Sequence, residues 1–195
     1  QGRNTEALSY FHEGLIRYRK HGNKVLGANV LLNIGLVYTN IKEYEKALTY
    51  FNESLDLYEE LGNEQGISKC FSNIGSCYHK QKNFDKALEY YNKCLEISLK
   101  IGHRQSLYYG YSNLGSLFFD KEEYNLAAEN FKKGLEEGRA LGAKPLVGES
   151  QISLGAAYIE LGQYDEAFDN ATQGLTVANE LALLNSQSKG NMVLS

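Results

Sequence analysis

A self-similarity at a fixed step of 40 residues constrains this chain more than any other feature. Asn33-Ile34-Gly35-Leu36-Val37-Tyr38 returns as Asn73-Ile74-Gly75-Ser76-Cys77-Tyr78 and again as Asn113-Leu114-Gly115-Ser116-Leu117-Phe118. A looser copy is Ser153-Leu154-Gly155-Ala156-Ala157-Tyr158. Ala7, Ala47, Ala87, Ala127 and Ala167 keep the same step, as do Leu15, Leu55, Leu95, Leu135 and Leu175, and the glycines Gly22, Gly62, Gly102 and Gly142. Between 33–51 and 73–91, nine of 19 positions are identical. A period of this size marks stacked units, each of which buries its apolar face only against its neighbours.

Each unit reads as two helices. Over 24–40, Leu31, Ile34, Val37 and Tyr38 recur at three and four residues and make one apolar face. Over 43–61, Tyr44, Ala47, Leu48, Phe51, Leu55 and Tyr58 do the same. Ile41-Lys42 between them suits a tight antiparallel hairpin. Gly62 follows the second helix, where a left-handed residue ends it. Pro145, the one proline in 195 residues, falls at the start of a first helix, where proline is tolerated. Gly35 and Ala47 predict close approach of two helix axes, because glycine inside a helix costs about 1 kcal/mol against alanine. The slots of Ile34, Tyr38, Ala47, Phe51 and Leu55 form the predicted core.

The phase of the repeat divides the chain into a half-unit at 1–22, full units at 23–62, 63–102, 103–142 and 143–182, and a partial unit at 183–195. Residues 4–20 match a second helix whose first helix is missing, and Leu194-Ser195 fall in the slots of Ile34-Gly35. The expectation is a single array over 1–195, cut from a longer one. Repeats weaken toward the end: Ala171, Asn170 and Ala182 replace Phe51, Tyr50 and Gly62.

Several function classes find no support. A net charge of −4 supplies no basic footprint for nucleic acid. Tyr90-Tyr91 and Tyr108-Tyr109 could stack on bases, but most tyrosines recur in core slots. No apolar run approaches the roughly 20 residues that span a bilayer, so no membrane partner is expected. Cys70, Cys77 and Cys94 are too few and odd in number for a disulfide framework, which points to a cytoplasmic chain. They also make a poor metal site. Cys70 and Cys77 lie about 10 Å apart along one helix, too far for one zinc with ligands at about 2.3 Å. His12, His21, His79 and His103 are scattered, and a catalytic base needs a positioned partner. With no phosphate loop, zincin motif or nucleophile elbow, the chain is expected to be no enzyme and to hold no cofactor.

The pattern Leu31, Ile34-Gly35, Tyr38, Ala47, Phe51 resembles the tetratricopeptide repeat, with its Leu-Gly, Tyr, Ala and Phe signature. The slots read Phe71, Ile74-Gly75, Tyr78, Ala87, Tyr91, then Tyr111, Leu114-Gly115, Phe118, Ala127, Phe131. The step is 40 where the family's usual step is 34, and such lengthened units are similar to those of kinesin light chain, Pins-type adaptors and bacterial signalling receptors. The resemblance implies an all-α, right-handed α-solenoid whose first helices line a concave groove. It also implies a module that binds a protein or peptide ligand within a larger signalling or scaffold protein. The alternative from another class is a structural spacer or a homodimer formed through the terminal half-units.

Along the groove-facing side of the first helices, packing slots repeat while the others vary. Asn29, Lys69, Tyr109 and Glu149 share one slot; Leu36, Ser76, Ser116 and Ala156 another; Thr39, His79, Phe119 and Ile159 a third; Asn40, Lys80, Asp120 and Glu160 a fourth. Asn33, Asn73 and Asn113 form a row whose amides suit a peptide backbone of any sequence. Kinesin light chain and Pins-type adaptors are similar in gripping ligand main chain with first-helix asparagines. Alternatively the row ties neighbouring hairpins together. The candidate peptide-binding residues are therefore Asn33, Asn73, Asn113, Lys69, Ser76, His79, Lys80, Tyr109, Ser116 and Phe119.

Overall fold

The computed structural model describes the backbone of residues 2–193 and the side chains of residue 4, residues 6–180 and residue 182. Among these residues the chain is all helix and turn. The helices are α1 (Gly2–His21), α2 (Lys24–Asn40), α3 (Tyr44–Glu60), α4 (Glu64–Lys80), α5 (Phe84–Ile101), α6 (Arg104–Asp120), α7 (Tyr124–Ala140), α8 (Lys144–Glu160) and α9 (Tyr164–Val193). They fall into two compact units, residues 1–106 and 107–195. In the first, each helix from α1 to α5 packs on the next, and in the second α8 packs on both α7 and α9. Successive antiparallel pairs of this kind are the solenoid that the 40-residue step predicts.

Two left-handed turns punctuate each of the units 23–62, 63–102 and 103–142. Gly22, Gly62, Gly102 and Gly142 have φ between 62° and 71° and end the second helices. The turn inside the hairpin needs the same geometry, yet it holds Lys42, Lys82 and Glu122 at φ 64°, 59° and 62°, with glycine only at Gly162. Lys42 is held there by two bonds: its N–H reaches the Thr39 carbonyl at 3.1 Å, and Glu43 N–H reaches Tyr38 at 2.9 Å. These close the helix end as a Schellman motif. At the other ends, the side chains of Asn23 and Asn63 accept from the N–H groups of Leu26 and Gly66 and cap α2 and α4. His103 takes that place before α6, its Nδ1 accepting from Ser106 N–H at 3.2 Å.

The core lies between the hairpins. Leu15, Leu31, Ile34 and Cys70 share one cluster; Ala47, Leu48, Phe51, Ile74 and Cys77 form another. In the second unit Ala127, Ala128, Phe131 and Leu135 pack on Leu154 and Ala157. Tyr38 and Leu55 are only half-buried. Tyr38 instead stacks on Tyr50, 5.4 Å between centroids, and Tyr78 stacks on Tyr90 at 5.6 Å.

Three expectations need correction. Gly35 is small because a ring covers it: a Cβ there would lie 2.5 Å from Phe51, one at Gly115 2.5 Å from Phe131, and one at Gly75 2.7 Å from Tyr91. Leu175, expected in the core, is 58% exposed, as is Phe168 at 72%. Their equivalents Leu135 and Leu48 are covered by the first helix of the following unit, and no described helix follows α9. Finally, no turn separates 182 from 183. Ala182 lacks the left-handed freedom of Gly62, and α9 runs unbroken for 30 residues.

Candidate functional site

In the first unit the varying slots stand on α2 and α4. Asn29 is committed to the fold: its Nδ2 donates to the Val25 carbonyl at 2.8 Å and its Oδ1 accepts from Tyr58 at 3.0 Å. Asn33, one turn on, is half-buried and makes no side-chain hydrogen bond among the described residues. Asn73 is half-buried as well. Its Nδ2 donates to Lys69 O, one turn back on its own helix, at 2.9 Å. This leaves Oδ1 and the second amide hydrogen for another partner. The bond is intrahelical, and among the described residues Asn73 makes no side-chain hydrogen bond to a neighbouring hairpin. Such ties come from elsewhere: Thr39 Oγ1 lies 3.4 Å from Cys77 Sγ, and Gln81 Nε2 donates to Glu45 at 2.8 Å.

Lys69, Asn73, Ser76 and Lys80 follow one another at four, three and four residues, a single stripe of α4. Lys69 and Lys80 are exposed, and neither forms an ion pair among the described residues. His79 is half-buried and partly structural: its ring meets Phe84 and Tyr91 edge-on at 5.8 and 6.3 Å, with Nδ1 3.5 Å from the Tyr91 hydroxyl.

In the second unit the same slots stand on α6 and α8. Tyr109 is 45% exposed, and its ring meets Tyr108 edge-on at 5.1 Å. Tyr108 is buried, and its one hydroxyl hydrogen is shared between Glu149 at 3.1 Å and Leu146 O at 3.2 Å. Burial pushes this phenol up to about 12, with the Glu149 charge adding to the shift. Asn113 is half-buried, and Ser116 Oγ donates to Ser112 O at 3.0 Å. Phe119 meets Tyr124 edge-on at 5.4 Å. Beside it opens a cleft of 240 Å³ lined by Ser116, Phe119, Asp120, Phe131, Ser153 and Ala156. Sequence reasoning missed this cleft. Its signal was Ser153 and Ala156, which look like a failure of the asparagine row but are smaller than Asn73 and Leu36 and let one wall recede.

The three cysteine thiols are not set up as nucleophiles. Cys70, Cys77 and Cys94 are buried free thiols whose pKa burial raises, to about 12 for Cys70, which suppresses the thiolate. Among the described residues no cluster of His, Cys, Asp or Glu could hold a metal, and no helix is long and apolar enough to cross a membrane.

The tetratricopeptide-repeat profile matches the chain over residues 1–60, 26–100, 64–136 and 106–180. No curated protein matches the sequence. Many solved structures share the fold, three of which illustrate it. BtubC (BKLC) from P. vanneervenii aligns with a TM-score of 0.78 and 19% identity, over 93% of this chain and 75% of that one. The Rap conjugation gene regulator of plasmid pLS20, solved with the Phr* peptide, gives 0.81 and 18%, over 98% and 53%. A Rap protein complexed with Competence and Sporulation Factor gives 0.81 and 19%, over 91% and 50%. The chain therefore spans about half the length of these Rap structures. The 40-residue helical hairpins, the aromatic-covered glycines and the profile matches lead to one assignment: the chain belongs to the tetratricopeptide-repeat family.

Proposed function

We propose that the chain is a non-catalytic protein-interaction module of a larger signalling or scaffold protein, and that it holds an extended peptide or a partner helix on its first-helix face. The observation that carries this reading is Asn73: half-buried, held in place by its own helix, and with an amide oxygen still to be satisfied. Unlike Asn29, whose amide is used up within the fold, it suits the N–H of a peptide main chain. Two further features support the reading. The slots around Asn73 change chemistry from unit to unit while the packing slots stay fixed. Two of the structures of the same fold hold, by their descriptions, a peptide or a Competence and Sporulation Factor. Three unpaired buried thiols fit a reducing, cytoplasmic setting.

The test is a footprint. Peptides selected from a random display library against the whole chain are titrated into isotope-labelled protein, and amide shifts are mapped. The reading expects shifts on Asn33, Asn73, Ser76 and Asn113 and little change on the exposed faces of α3, α5 and α7. Shifts confined to those second helices would overturn it. A self-association module is the second reading, favoured by the exposure of Tyr10, Phe168 and Leu175. It requires a concentration-dependent mass in light scattering that Phe168→Ser abolishes.

A further inference from the structure

Resting on the proposed peptide-binding role, the face of α2 and α4 carries a more specific chemistry, and the charges on it are one-sided. The whole chain has a net charge of −4, yet these two helices hold a single carboxylate, Glu64, and Lys100 engages it. Lys24, at the start of α2, is paired with Glu60 at 2.7 Å. What remains on the varying slots is Lys69 and Lys80, both exposed and neither in an ion pair among the described residues.

The groups around Lys80 do not neutralise it. Its charge reaches the Cys77 thiol, but burial holds that thiol above its ordinary range and so keeps it protonated. Glu45 of α3 lies near the same thiol, and its carboxylate accepts from Gln81 at 2.8 Å rather than from Lys80. Two ammonium groups therefore stand at the ends of one stripe, with Asn73 and Ser76 between them. Asn73 keeps an amide oxygen and one amide hydrogen for a peptide main chain, and Asn33 holds the same slot on α2. A carboxylate meeting an ammonium makes a charge-assisted hydrogen bond, stronger than a neutral one. Exposed pairs of this kind add modest affinity and mainly set which partner docks and in which register.

We infer that the α2–α4 face binds an extended acidic peptide, two of whose acidic side chains meet Lys69 and Lys80 while Asn73 grips the main chain between them. The spacing follows from the helix. Lys69 and Lys80 are eleven residues apart on α4, roughly 16 Å at 1.5 Å per residue. A peptide laid along the stripe advances about 3.3 Å per residue, so the two acidic residues should lie about five positions apart.

The experiment uses rhodamine-labelled Gly/Ser dodecapeptides, amidated at the C-terminus, with two glutamates either adjacent or five positions apart, together with the library-selected peptides. Anisotropy is read against the whole chain, against Lys69→Gln/Lys80→Gln, and against Lys20→Gln/Lys42→Gln, which removes the same charge from α1 and the α2–α3 turn. Melting curves check that each variant folds, and the single variants Lys69→Gln and Lys80→Gln are read beside the doubles. The inference expects the spaced glutamates to bind about fivefold tighter than the adjacent pair. It expects Lys69→Gln/Lys80→Gln to lose about tenfold, each single variant about threefold, and Lys20→Gln/Lys42→Gln less than twofold, with the losses shrinking as salt rises. Equal binding of spaced and adjacent glutamates, or equal loss in the two double variants, overturns it. So does a glutamate-free dodecapeptide with an unblocked C-terminus that binds as tightly as the spaced pair, since the lysines would then serve a terminal carboxylate. If selected peptides bind, weaken with Asn73→Ala and ignore Lys69→Gln/Lys80→Gln, the inference falls while the groove reading stands. If no peptide of either set binds, both fall.

Discussion

The ring of Phe131 lies across Gly115 so closely that a Cβ on that glycine would sit 2.5 Å from the ring carbons. Alanine is intrinsically the better helix residue by about 1 kcal/mol, but overpacking of a tight contact costs about 1–3 kcal/mol. Gly115→Ala should therefore lower the melting temperature. Gly138→Ala is the control. Its Cβ would meet nothing nearer than Val147 N at 3.5 Å, an ordinary contact, so helix propensity should win and the melting temperature should rise.

Ala87 is fully buried between hairpins. Leucine there adds three carbons to a filled contact, and Ala87→Leu should destabilise by about 1–3 kcal/mol. Energies in such arrays are nearly a sum over neighbours, so hydrogen exchange should quicken first in α4 and α5. An unchanged melting temperature would mean that the contact is not close.

Lys82 holds a left-handed conformation at φ 59°. A residue with a Cβ pays roughly 1–2 kcal/mol for this, part of which glycine returns as chain entropy. Lys82→Gly should raise stability by about 0.5–1 kcal/mol, seen as a higher urea midpoint. At Gly102, φ 64°, Gly102→Ala should do the reverse.

Burial raises the Cys70 thiol from 9.0 and the Tyr108 phenol from 10.0, each to about 12. In the unfolded chain both ionise earlier, so above pH 9 the unfolded state binds fewer protons than the native state. The stability held by these neutral groups is complete below about pH 9 and is lost as pH rises toward 12. Urea midpoints should be flat from pH 7 to 8.5 and fall beyond. Tyr108→Phe should be less stable at neutral pH yet show a shallower fall above pH 10.

What the sequence made legible is what repeats. Ile34, Ala47, Phe51 and their equivalents recur because the same contact is made in each unit, so periodicity alone finds the hairpins. Contacts that change identity from unit to unit leave no such trace. The pair formed by Phe71 and Lys93 is a cation over a ring at 5.8 Å, as is that of Tyr111 and Lys133 at 5.9 Å. The same two slots in the next unit hold Gln151 and Gln173, hydrogen-bonded at 2.6 Å. Lys42, Lys82 and Glu122 conceal the hairpin turn because glycine marks a left-handed position in sequence and these residues do not. The site shows the same division: the asparagine row is visible, but only coordinates separate Asn29, locked by Tyr58, from Asn73, which is not.

The most direct measurement is binding and melting of Asn73→Ala side by side, using peptides selected against the whole chain. Among the described residues the Asn73 side chain makes one hydrogen bond, to its own helix, so its loss should move stability by no more than about 0.5 kcal/mol. As a grip on peptide main chain, it should weaken binding by about 1–3 kcal/mol, roughly 5- to 150-fold in Kd. A lowered melting temperature with undiminished peptide affinity would contradict the account.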